Sequence, residues 1–92
     1  MTKAEIAVLV LRIFGALPAA LSVSELISYA MDPAGYPFGT EIAGFQYNSP
    51  VHFVISHCIV VLLYVSAYVL RGAPLRIVAL IAQIGLFAAM YH

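Results

Sequence analysis

The chain has no tryptophan and a single cysteine, and only eight of its 92 residues carry a formal charge. Each shortage excludes something. Cys58 has no partner for an internal disulfide, and one cysteine cannot by itself build a zinc site. Four basic residues are balanced by four acidic ones. No basic patch exists to hold RNA or DNA, so nucleic acid is not an expected partner. No glycine-rich phosphate loop and no paired carboxylate arrangement occurs. Soluble domains carry roughly a quarter charged residues, against 9% here.

What is present is apolar. Hydrophobic residues make up 64% of the chain, and the mean hydropathy is +1.04. A short soluble domain could not bury that much apolar surface, because its surface-to-volume ratio is unfavourable. In lipid the same side chains can face acyl chains. The sequence therefore reads as one integral membrane domain over residues 1–92, with the lipid bilayer as its first partner.

Three apolar stretches stand out, at about 6–31, 51–70 and 75–91. Each is near the ~20 residues a helix needs to cross ~30 Å of hydrocarbon. Three strands cannot close a barrel, so the spans must be helices that satisfy their own backbone groups. The expected fold is all-α, a three-helix membrane bundle. The opening Met1-Thr2-Lys3, apolar run and Ala-Leu-Pro-Ala-Ala look superficially like a signal peptide. Arg12 interrupts the run, so the segment reads as a first membrane helix.

The ends of the spans carry recognisable signals. Thr2 followed by Glu5 fits a capping box that starts the first helix at Lys3. Asp32-Pro33 stops it, because a residue before proline avoids the helical region. Ser49-Pro50 opens the second helix. Arg71-Gly72-Ala73-Pro74 is a tight turn, which makes helices 2 and 3 an antiparallel hairpin. Between the first two spans lies a loop over 32–50 that holds Tyr36, Phe38, Phe45 and Tyr47, aromatics suited to the membrane–water boundary. Its stretch 40–47 fits a short interfacial helix. Pro18 falls in mid-helix, where it removes a hydrogen bond and is expected to kink the first span. The same proline is a candidate hinge.

With three spans, Lys3 and Arg12 fall on the same side as Arg71 and Arg76. These four are the expected cytoplasmic anchors, Arg12 by extending its stem to the headgroups. The positive-inside rule then puts the N-terminus in the cytoplasm and the C-terminus outside, in a bacterial inner membrane.

Ionisable and polar groups at membrane depth are the candidate site. Glu25 lies about 9 Å below the outer end of helix 1, His57 a similar distance down helix 2, and Gln83 about 12 Å down helix 3. A Glu25–His57–Gln83 cluster would spare all three from lipid. Such a cluster serves to fix helix register, and a carboxylate with an imidazole also suits a proton or ion relay. Metal or haem is the weaker alternative. His52, His57 and Cys58, with Glu25 and His92, all map to the outer half or surface and are legitimate ligands. His52 and His57 are five residues apart, however, and about 140° apart on a helix. No cofactor is therefore expected. Of the serines, Ser22, Ser24 and Ser56 are the only candidates to pair with His57 as nucleophile, and no motif surrounds them, so no enzyme activity is expected.

Several faces look made for packing. Pro18, Ser22, Glu25 and Tyr29 share one face of helix 1. His57, Val61, Tyr64, Tyr68 and Arg71 share one face of helix 2. Gly15 with Ala19, and Ala82 with Gly85 and Ala89, are small enough for close backbone approach. The three-span layout and first-helix proline resemble the bacterial half-transporters of the SemiSWEET type, which work as dimers. That family has a glutamine after the proline, where this chain has Ala19. The resemblance is one of layout alone and implies a dimeric half-transporter architecture, with no site residue carried over from it. Separately, the polar groups at membrane depth give a homo-oligomeric small transporter or channel using Glu25 and His57 as the alternative function. The leading expectation is different: a structural or accessory subunit that packs against other membrane-protein subunits, with self-association as the alternative.

Overall fold

A computed structural model describes residues 2–32, 34 and 50–90. The interfacial helix expected at 40–47, the Ser49 cap and His92 lie outside these residues. Among the described residues there are three helices, each long and apolar enough to cross a membrane. They are α1 (Lys3–Met31), α2 (Pro50–Val69) and α3 (Ala73–Met90). Each packs against the other two, giving the three-helix bundle expected from the sequence. Among the described residues there is no strand.

The helix ends follow the local chemistry. Thr2 is the N-cap of α1, and its hydroxyl accepts the Glu5 N–H at 3.2 Å. That bond satisfies one of the N–H groups that a helix start leaves without a carbonyl. At the other end Asp32 leaves the helical region at φ −146° while its N–H still reaches Ser28 O. The turn after α2 passes through Gly72 at φ +86°, a conformation that a Cβ disfavours. The Arg76 Nε donates to Leu70 O at 2.7 Å, which covers a carbonyl left open where α2 ends. Helix α3 starts two residues before the expected 75. Pro74 thus sits second in the helix rather than first, where its missing N–H would have had no partner anyway.

Helix α1 runs unbroken through Pro18. The proline lacks the N–H that would bond the Phe14 carbonyl four residues back. It is buried, as are Gly15, Ala19 and Ser22. At 1.5 Å per residue, the 29 residues of α1 span roughly 43 Å, while the 18 of α3 span roughly 27 Å.

Toward the end that carries the α2–α3 turn, Val8, Ala67, Ala79 and Leu80 form an apolar core flanked by Leu11, Tyr64 and Ile77. Toward the other end the interior is aromatic and polar. Phe53 lies 5.4 Å from the Tyr29 ring and 4.6 Å from the His57 ring, centroid to centroid. The outer surface is apolar: Ile13, Phe14, Leu17, Leu62 and Val78 are 63–67% exposed. In water such a surface would aggregate, whereas in a bilayer it is the lipid-facing shell. The protein is an integral membrane protein with three candidate spans.

Candidate functional site

Among the described residues, the interior of the bundle holds four fully or nearly buried polar side chains: Ser22, Ser56, His57 and Gln83. In hydrocarbon each must find a hydrogen-bond partner or bear a heavy desolvation cost. Three layers of contacts result, stacked along α1.

The lowest layer centres on Arg12. Its Nη2 donates to Ala67 O of α2 at 2.9 Å. The guanidinium carbon stands 4.1 Å from the centroid of the Tyr68 ring, a cation–π geometry. Tyr64 donates its hydroxyl to Arg12 O at 3.3 Å and pairs with the Tyr68 hydroxyl at 2.9 Å. The expected headgroup anchor thus also ties α1 to the last turns of α2. Its Nε is enclosed and has no hydrogen-bond partner.

The middle layer joins α3 to α1. Gln83 donates from Nε2 to Gly15 O at 2.8 Å. Only glycine allows this approach. A Cβ at position 15 would stand 2.5 Å from Gln83 Oε1 and 3.3 Å from Tyr64 Cδ1. Gln83 is wholly buried, and its Oε1 accepts no hydrogen bond.

The upper layer joins α2 to α1. His57 Nδ1 lies 2.9 Å from Ser22 Oγ, with both residues fully buried. Ser56, next to His57, turns its hydroxyl back to His52 O on its own helix.

Of the three residues expected to cluster, His57 and Gln83 therefore reach α1 at different levels. Ser22 and Gly15 are seven residues apart, roughly 10 Å along the helix axis. Glu25, one turn above Ser22, is half-buried on the same face of α1 and also interacts with its surroundings. The face Pro18, Ser22, Glu25 and Tyr29 points inward. The inward face of α2 is centred on Phe53, His57, Val60 and Ala67, slightly rotated from the expected Val61 and Tyr68. The reason is Tyr68: its ring lies under the Arg12 guanidinium at the bundle margin, and it stays 51% exposed.

The small residues behave oppositely on two helices. Gly15 and Ala19 are buried and used within the bundle. Ala82, Gly85 and Ala89 are exposed, and a Cβ at Gly85 would meet nothing within 4 Å. The buried face of α3 is instead Ala79, Leu80, Gln83 and Met90.

The arrangement limits the available chemistry. The Ser22–His57 bond is the contact a serine nucleophile makes with its base. Both partners are fully buried between α1 and α2. His52 and Cys58 are exposed while His57 is buried, so the three do not converge. Among the described residues no three His, Cys, Asp or Glu side chains are grouped to hold a metal ion. Lys3 and Arg71 are exposed at the end of the bundle that also carries Arg76.

Sequence reasoning had Ser22 among the candidate partners of His57 but missed the backbone partners. It named His57 and Gln83 but not Gly15 O as an acceptor, and it gave Arg12 no partner on α2. Gly15, three residues before Pro18 and on the same face, was the available signal. Comparison with protein-family models, with curated proteins and with solved structures returned no match for this chain.

Proposed function

We propose that this protein is a small, non-catalytic accessory subunit that packs against other membrane proteins through the outer face of α3. One observation carries this reading. Ala82, Gly85 and Ala89 form a small-residue stripe that the bundle leaves open, with nothing near the Gly85 Cβ position. Such stripes let a second helix backbone approach closely, and the resulting van der Waals packing is one of the forces that drive helix association in lipid. The polar interior groups support the same reading, since Arg12, His57 and Gln83 are spent on holding α1 to its neighbours. Under this reading the membrane is the bacterial inner membrane, with the N-terminus and the α2–α3 turn in the cytoplasm and the C-terminus outside.

Blue-native gel migration after mild solubilisation tests the proposal. The wild-type chain should migrate with larger subunits. Gly85→Leu should release it as a small species without lowering its thermal stability, because the added side chain meets open space. A wild-type chain that runs alone, or as a defined dimer or tetramer, would sink the accessory reading and favour a homo-oligomeric transporter or channel.

A further inference from the structure

A cavity of about 480 Å³ opens between the first turns of α1 and the α2–α3 turn. That volume lies within the ~300–1,000 Å³ typical of ligand pockets. Two arginines line it, Arg12 from α1 and Arg76 from α3, together with Thr2 and Glu5 at the start of α1. Val8 and Leu9 supply an apolar wall on one side. Gly72 and Ala73, where α3 begins, complete the lining.

The charges in this cavity do not cancel. Arg12 and Arg76 contribute two positive charges and Glu5 one negative charge. Arg12 spends one Nη on Ala67 O, and Arg76 spends its Nε on Leu70 O. The second Nη of Arg12 and both terminal nitrogens of Arg76 remain for a ligand. Two forked guanidiniums suit a planar or tetrahedral oxyanion, which they bind through paired N–H groups. The adjoining apolar wall suits an amphiphile whose charged head enters the cavity while its chains follow α1. Basic pockets between membrane helices near the headgroup level hold anionic lipid heads in this way.

We propose that this cavity is a phosphate-binding site, filled in the membrane by the headgroup of an anionic phospholipid, with Arg12 and Arg76 on the phosphate oxygens. Arg76 is the more selective handle, because Arg12 braces α1 against α2, whereas the Arg76 side chain bonds Leu70 O in the adjoining turn. Arg71 is an internal control: it is exposed, lies in the same turn and does not line the cavity. Glu5 opposes the bound anion, so its neutralisation strengthens binding.

The test is native mass spectrometry of the full chain released from detergent with phosphatidylglycerol or phosphatidylcholine added. A parallel thermal-shift titration uses millimolar inorganic phosphate. One phosphatidylglycerol should be retained several-fold more than phosphatidylcholine. Arg76→Gln should reduce that retention about tenfold, a loss typical of a charged contact, while Arg76→Lys recovers part of it. Arg71→Gln should leave it within about twofold, as expected for a charge in solvent. Glu5→Gln should raise it. Stabilisation by inorganic phosphate that depends on Arg76, without lipid retention, would keep the site and assign it to a soluble oxyanion. The proposal is overturned if Arg76→Gln retains phosphatidylglycerol like wild type and shows the same response to phosphate. Equal losses in Arg71→Gln and Arg76→Gln would overturn it too, since surface charge alone would then explain the binding.

Discussion

Gly15 meets α3 with its bare backbone, and the missing Cβ is what lets Gln83 reach its carbonyl. A methyl group there would push the Gln83 amide aside and leave a wholly buried side chain searching for partners. Gly15→Ala is expected to cost about 1–3 kcal/mol, the range for stranding a buried polar group. In a Gln83→Ala background the same change should cost much less, because the colliding oxygen is gone. Unfolding in mixed micelles measures both, and equal costs in the two backgrounds would refute the coupling. Arg12 gives a second residue-scale expectation. Its contacts depend on a planar fork lying over Tyr68 and reaching Ala67 O. Arg12→Lys should therefore destabilise the bundle by about 1 kcal/mol or more despite keeping the charge, since a lysine ammonium does not reproduce a stacked guanidinium. If lysine restores full stability, the side chain serves only as a charge at the headgroups. Residue types at membrane depth were readable from the sequence, and Ser22 was among the candidates for His57, but the partners of Gln83 and Arg12 were not. The acceptors are backbone carbonyls of Gly15 and Ala67, and a carbonyl is present at every position, so nothing in the residue type marks the one that is used.

At the scale of the element, the helix ends were the most legible feature. Thr2, Asp32, Pro50 and Gly72 stand at or beside the four ends they signal, because caps and prolines act locally. Gly72 also yields a prediction. At φ +86° an alanine is strained, so Gly72→Ala should lower stability by about 1 kcal/mol. Gly85→Ala on α3 should cost nothing in the isolated chain, since alanine favours helix and the space is open. A denaturation series on the two variants checks the contrast; equal effects would contradict the assigned turn. The faces of the helices were less legible. In a bundle whose outer surface is as apolar as its core, hydrophobic periodicity cannot tell inside from outside. The small stripe on α1 and the small stripe on α3 looked alike in sequence, yet one is buried against Tyr64 and Gln83 and the other faces out. Only the polar residues broke the symmetry, and they pointed the right face of α1 inward at Ser22.

For the molecule as a whole, the disposition of the basic residues makes a prediction that concerns the membrane rather than the fold. Arg71 and Arg76 share an end of the bundle with Lys3 and Arg12. A reporter enzyme fused after His92 should thus be active only outside the cytoplasm, by the positive-inside rule; activity inside would reverse the orientation. The unequal lengths of the helices have a further consequence. The surplus of α1 over ~30 Å of hydrocarbon is roughly 13 Å, whereas α3 falls slightly short. Because α1 is bonded to both neighbours through Gly15 and Ser22, it cannot lean independently. The bundle must tilt as one body or carry the excess into the headgroup layer, so bilayer thickness becomes a variable to which this protein responds. Thicker membranes would favour an upright α1 and stretch α3, while thinner ones would relieve α3 and drive the tilt.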